Sequence, residues 1–393
     1  MSGAMNTDYL VAEIDLGALA HNCRVVRSLA RPACRLCVPV KANAYGHGVE
    51  VVLPGLRAAK VDMLAVVSVR EAAELRGLGW ERPVLLMGTE LGAYEGGGKG
   101  EIARWLVEHG ISVTASSAGD LDALARAAER VGRPAAVHLM LDSGMSREGL
   151  HEPEVLELVA LARGNEAIRI EGLYTHFATA DDGDKSFANA QLQRFAAFVA
   201  ALAERGIRVP IVHAANSPAS IDLPESHFNM IRPGVSVYGC HSSPQMRCKP
   251  DLRQVLRLVS RLTLVKRIGE GCHVGYGCTF TAPRDMLIGL APIGYADGYP
   301  RSLSNCGRML VGDRPAPVIG RVSMDQTILD LSDLEREGVR PAVGQEVVII
   351  DNRAGSPNTI EAICEQVGTI PQVVMTGLGR RVRRVRVNAE AVG

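Results

Sequence analysis

The chain has 393 residues, 47% of them hydrophobic, with 43 basic side chains against 43 acidic ones. This is long and apolar enough to build two cores, while a formal net charge of zero gives no reason to expect nucleic acid or an anionic membrane as a partner. No apolar run is long enough to span a bilayer, residues 1–13 lack a basic and then apolar leader pattern, and the nine cysteines are odd in number and scattered. A cytoplasmic protein with reduced thiols is expected.

In chain order, residues 9–15 are predicted as a strand and residues 16 to about 30 as a helix. Eight short apolar runs then follow, over 36–40, 63–69, 83–87, 111–115, 135–141, 168–175, 209–214 and 228–231. Between them lie alanine- and leucine-rich segments of helical spacing, such as 120–131 and 191–205. Strands alternating with helices in this way predict an α/β fold, a (β/α)8 TIM-type barrel over residues 16–240. After Cys240 helical spacing fades, and β-rich runs appear over 262–266, 286–290, 308–311, 326–330 and 346–350, interrupted by a helix over 359–367. Residues 241–393 are therefore predicted as a mainly β domain.

Three stretches read structurally. Cys34-Arg35-Leu36-Cys37 has redox or zinc spacing, but it leads into an apolar strand and no second pair supplies further metal ligands, so buried structural cysteines are expected. Glu95-Gly96-Gly97-Gly98-Lys99-Gly100 lacks the spacing of a phosphate loop and is predicted as a loop after the third barrel strand. The basic tail 380–387 alternates arginine with valine, which suits a strand with a solvated face better than a nucleic-acid site.

The chemistry centres on Val38-Pro39-Val40-Lys41-Ala42-Asn43-Ala44-Tyr45-Gly46-His47-Gly48, where an apolar strand delivers a lysine into a glycine-punctuated turn. A lysine in such a place can end in solvent. Buried, its lowered pKa frees the amine to bond covalently to an aldehyde cofactor. Four later stretches are Thr175-His176-Phe177-Ala178, Ile231-Arg232-Pro233-Gly234, Gly275-Tyr276-Gly277 and Gly294-Tyr295-Ala296-Asp297-Gly298-Tyr299-Pro300-Arg301. Together and in this order the five resemble the alanine racemase family, over nearly the whole chain.

The resemblance implies a pyridoxal 5'-phosphate enzyme that interconverts L- and D-amino acids, alanine first among them, in a head-to-tail homodimer with shared sites. It assigns Lys41 to covalent cofactor binding and to the D-side proton, and Tyr276 of the other subunit to the L-side proton. Tyr45, Ser217, Tyr238 and the backbone at Gly234 and Val235 would hold the phosphate, with Asn216 beside them. Arg232 would face the pyridine nitrogen, which must then accept its hydrogen bond, because arginine stays protonated. His176, with Arg232 behind it, would favour the tyrosinate at Tyr276. Arg147 and the Met324 amide would bind substrate, Tyr295, Arg301 and Arg321 would line the approach corridor, and strand 9–15 would join the β domain.

Three positions depart from the family. Met140 stands where many members carry a lysine that is carbamylated, so a bound anion or another acidic side chain is expected to restrain Arg147. Glu148 replaces an aliphatic residue, and Gln372 replaces a tyrosine that walls the side-chain pocket. The alternatives are a broad-specificity or serine-type racemase, a pyridoxal-phosphate decarboxylase, and a cofactor-binding protein without activity.

Overall fold

The computed structural model describes residues 9–392. Its first strand, β1 (Val11–Asp15), runs into a helix Leu16–Leu29 whose N-cap is Asp15, the side chain accepting from the Ala18 N–H at 2.8 Å. Eight parallel strands then close a barrel in sequence order: β2 (Arg35–Pro39), β3 (Met63–Val66), β4 (Val84–Leu86), β5 (Ile111–Thr114), β6 (Ala135–Met140), β7 (Ile168–Tyr174), β8 (Ile211–His213) and β9 (Met230–Ile231). Because side chains alternate along a strand, the barrel strands feed two cores. Cys37, Met63, Ala65, Leu85, Ile211 and Met230 form one cluster, while Leu36, Val38, Leu64 and Val66 join the larger core with the helices.

This alternation also places the two cysteines of the Cys34–Cys37 pair. Cys34 packs with the larger core and Cys37 with the smaller cluster. Burial pushes their thiols up to about 11 and about 12, as suits inert structural cysteines.

The glycine run at 95–100 is not a loop. A helix, Gly96–Glu108, begins inside it. Glycine disfavours helix, but Ala103, Leu106 and Val107 bury the following turns, and the Lys99 ammonium reaches the buried Asp120 carboxylate at 2.7 Å. Tertiary anchoring outweighs local propensity.

Among the described residues, the remaining strands form two sheets and a hairpin, with helices Ser332–Arg336, Ile360–Val367 and Pro371–Thr376 among them. A six-stranded sheet runs in the order β16 (Arg314–Pro317), β15 (Arg308–Val311), β18 (Glu346–Ile350), β10 (Leu256–Arg261), β1, β19 (Arg383–Val387). A second sheet pairs β11 (Leu264–Ile268), β14 (Met286–Ala291) and β17 (Thr327–Asp330), and β12 (His273–Val274) pairs β13 (Phe280–Thr281). Strand β1 is antiparallel to β10 and parallel to β19, so the N-terminal strand belongs to this sheet. The basic tail strand is less solvated than its sequence suggests: Arg384 donates to the carbonyls of Gly46, Leu378, Gly379 and Val382 at 2.7–3.1 Å. Among the described residues no helix is long and apolar enough to cross a membrane.

Candidate active site

The lysine turn has an unusual backbone. Ala42, Asn43, Ala44 and Tyr45 all adopt left-handed angles, with φ of 52–54°. Left-handed residues with a Cβ cost about 1–2 kcal/mol each, so the surroundings must impose this turn. The Ala42 N–H donates to Glu71 Oε1 at 2.7 Å, and the Val49 N–H to Asn43 Oδ1 at 2.8 Å. His47 Nδ1 lies 3.1 and 3.0 Å from the Ala44 and Tyr45 carbonyls. Burial lowers the His47 pKa to about 4, so the ring is neutral and Nδ1 carries the proton. At Gly46, with φ of +80°, a Cβ would stand 2.0 Å from the Met375 carbonyl oxygen. The turn is clamped between the barrel and the second domain.

Lys41 and Tyr45 of this turn line a cavity of about 490 Å³ together with Arg147, Glu148, His176, Asn216, Ser217, Arg232, Gly234, Val235 and Gln372. In chain order all but Gln372, which comes from helix Pro371–Thr376 of the β domain, follow the C-terminal ends of β2, β6, β7, β8 and β9, the face where a barrel of this kind carries its chemistry. A larger cavity of about 1240 Å³ lies elsewhere, between helix Leu16–Leu29 and the β domain. It contains none of these groups.

One part of the cavity is a set of small donors. Asn216 caps helix Ser217–Asp222, its Oδ1 accepting from the Ala219 N–H at 3.2 Å. Ser217 is therefore not the cap, and its Oγ instead accepts from the Gly234 N–H at 2.8 Å and the Ser236 N–H at 3.4 Å. A Cβ on Gly234 would lie 2.5 Å from the Tyr45 hydroxyl, so this approach needs glycine. Burial raises the Tyr45 phenol to about 12, which keeps it a donor. Tyr238 has a different place from the one expected. It is fully buried, does not line the cavity, donates to the Pro39 carbonyl at 3.0 Å and stacks on Tyr45 with ring centroids 5.0 Å apart. Its hydroxyl is committed, and it supports Tyr45 rather than reaching a ligand.

Arg232 is buried without a carboxylate. Its Nη2 donates to the Thr175 and Ala214 carbonyls at 2.8 and 3.0 Å, and its Nη1 lies 2.7 Å from His213 Nδ1. Burial lowers its pKa to about 10, which still leaves it protonated at neutral pH. Among the described residues its Nε is buried with no partner, a donor awaiting an acceptor, which ordinary burial would penalise. His176 Nδ1 sits 3.3 Å from Arg232 Nη2. Burial, then Arg232, Arg147 and Lys41, hold the His176 pKa well below its usual range. The ring is neutral with Nδ1 as acceptor, leaving Nε2–H as a donor.

Burial lowers the Lys41 pKa, with Arg147 adding to the effect. Arg147 pairs with Glu148 at 3.4 Å, so the residue beside it supplies an acidic partner, while Met140 is buried. Gln372 Oε1 is buried with no partner among the described residues.

Tyr276, Met324 and Tyr295 do not line this chain's cavity; they are 72%, 53% and 43% exposed. They lie close together on the β domain. The Tyr295 N–H donates to the Ser323 carbonyl at 3.1 Å, and the Arg321 guanidinium carbon lies 3.3 Å from where a Cβ on Gly277 would be. Sequence reading missed Glu71, Asn43 and His47 as the groups that shape the lysine turn. Only Glu71 left a signal, as the fourth residue of the capping box Ser68–Glu71.

Two family models match, alanine racemase N-terminal domain over residues 14–242 and alanine racemase C-terminal domain over 255–386. An alanine racemase of Desulfovibrio desulfuricans is 37% identical over 377 residues, covering 96% of this chain and 97% of that one. The solved alanine racemase of Streptomyces coelicolor superposes with a TM-score of 0.87 at 36% identity, covering 97% of this chain and 98% of that one. That of Bartonella henselae, with covalently bound pyridoxal phosphate, gives 0.83 at 26% identity over 96% and 99%.

Proposed function

The chain belongs to the alanine racemase family, and we propose that it interconverts L- and D-alanine with pyridoxal 5'-phosphate held in the Lys41 cavity. The observation that carries this is the unpaired Arg232 Nε in the cavity that Lys41 lines. The residues present fit the cofactor. Lys41 would attach it, the Tyr45 and Ser217 hydroxyls and the backbone at Gly234 and Val235 would receive its phosphate, and Arg232 would donate to its ring nitrogen. Bound there, the group supplies the electron sink that makes an amino acid's α-proton removable. Arg232, a cation at neutral pH, would donate a hydrogen bond to that nitrogen without giving up its proton.

Racemisation needs one proton-moving group on each face. Lys41, its pKa lowered by burial, serves the D face. Tyr276 of the partner subunit serves the L face, and the exposure of Tyr276, Met324 and Tyr295 together supports a homodimer in which they cover the opposite site. His176, neutral, would offer its Nε2–H to the phenolate. Arg147, paired with Glu148 rather than with a modified lysine, would receive substrate.

A second reading concerns range. Gln372 Oε1 lines the cavity as an unpaired acceptor, which a serine hydroxyl would satisfy. A pocket rejects an analogue that merely adds a hydroxyl by only about a hundredfold, so serine turnover within about a hundredfold of alanine is expected. Deuterium exchange at Cα in D2O across alanine, serine and lysine tests both readings. Exchange with alanine supports racemisation, and strict alanine preference would remove the role given to Gln372. Release of CO2 without exchange of the intact amino acid would overturn the racemase reading.

A further inference from the structure

Behind Arg232 a line of buried polar groups crosses the barrel interior. Arg232 Nη1 is 2.7 Å from His213 Nδ1, His213 Nε2 is 3.0 Å from His138 Nδ1, and His138 Nε2 is 3.3 Å from Glu171 Oε2. The Ser112 hydroxyl also donates to that oxygen, and Arg169 donates to Glu171 Oε1 at 3.0 Å. Both histidines are fully buried, and burial holds their pKa values down.

The two ends decide every proton in between. A guanidinium only donates, so His213 Nδ1 must accept and its Nε2 must carry hydrogen. That hydrogen makes His138 Nδ1 an acceptor and His138 Nε2 a donor. A carboxylate only accepts, and it closes the chain. Burial pushes the Glu171 carboxyl up, but the His138 and Ser112 hydrogen bonds outweigh it and hold its pKa at about 2. No group in the line can be reversed without setting donor against donor.

The backbone is arranged for this. Between β6 and β7 the register skips one residue, pairing Val137 with Ile170 and His138 with Gly172. Glu171 is the residue left unpaired, the usual way in which a bulge re-aims a side chain. A Cβ on Gly172 would lie 2.1 Å from the His138 ring, so glycine there makes room for the imidazole.

We propose that Glu171 is a positioning residue for Arg232, acting through the tautomers of His138 and His213. It never meets substrate. It gives the buried cation an oriented acceptor, and so fixes how the guanidinium presents its unpaired Nε to the cavity. The proposal rests on the racemase reading for its kinetic consequence, but not for the proton order.

The test begins with the full-length enzyme as purified, by NMR of 15N-labelled histidine or by neutron diffraction. Both His213 and His138 are expected to carry hydrogen on Nε2 alone; hydrogen on His213 Nδ1 overturns the proposal whether or not the chain racemises anything. In Glu171→Leu, which removes the acceptor, kcat for alanine is expected to fall about tenfold with KM changed less than about twofold. In Glu171→Gln, whose amide oxygen can still accept, the tautomers and kcat are expected to stay within about twofold of the parent. A Leu variant with unchanged kcat, or equal losses in both variants, would overturn the role. If the tautomers are as stated and no amino acid is racemised, it is the function reading that fails.

Discussion

Tyr276→Phe is expected to lower alanine racemisation by about 10²–10⁴ in both directions, the usual worth of a positioned acid–base group. The loss should be lopsided in a second observable. With Lys41 still able to remove and return a proton on the D face, D-alanine should go on exchanging its α-proton with D2O while L-alanine stops. Tyr276 is 72% exposed in its own chain, so removing one hydroxyl there costs little packing, and thermal stability should be unchanged. Equal loss of exchange for both isomers would show that the phenol does not belong to one face.

Gly46→Ala is expected to be the most damaging small substitution in the turn. The new methyl would sit 2.0 Å from the Met375 carbonyl oxygen at a φ of +80°, so both sterics and backbone conformation oppose it. An overlap with backbone cannot be relieved by a rotamer change, and a cost of about 3–5 kcal/mol is expected. The damage should spread to Lys41 and Tyr45, which the same turn delivers to the cavity. A fall in thermal midpoint together with weaker retention of pyridoxal phosphate checks this, whereas a midpoint within about 2 °C of the parent would contradict the clamped turn.

The barrel was legible because its evidence is periodic. Short apolar runs alternating with helical segments need few long-range facts to interpret, and Lys41, His176 and Arg232 could be placed at strand ends by counting. The turn after Lys41 was not legible. Nothing in Ala42-Asn43-Ala44-Tyr45 favours left-handed backbone over four residues; it is imposed by Glu71, His47 and the Met375 carbonyl, each brought in by the fold. Tyr238 was misplaced for a similar reason. A tyrosine beside a Pro-Gly turn reads equally well as ligand or as core, and the Pro39 carbonyl that takes its hydrogen lies 199 residues away. His138 and His213 stand 75 residues apart, with no spacing in the sequence to join them. The glycine run at 95–100 misled because composition outvoted the amphipathic turns behind it.

In the proposed homodimer each site would take its amine from one protomer and its phenol from the other. Mixing Lys41→Ala with Tyr276→Phe protomers under exchange tests it most directly. Each variant alone should be inactive, and a mixed dimer should hold one intact site out of two. An equal mixture should then recover about a quarter of the parent activity, since half of randomly paired dimers are mixed. Mixed dimers that form but stay inactive would contradict the account.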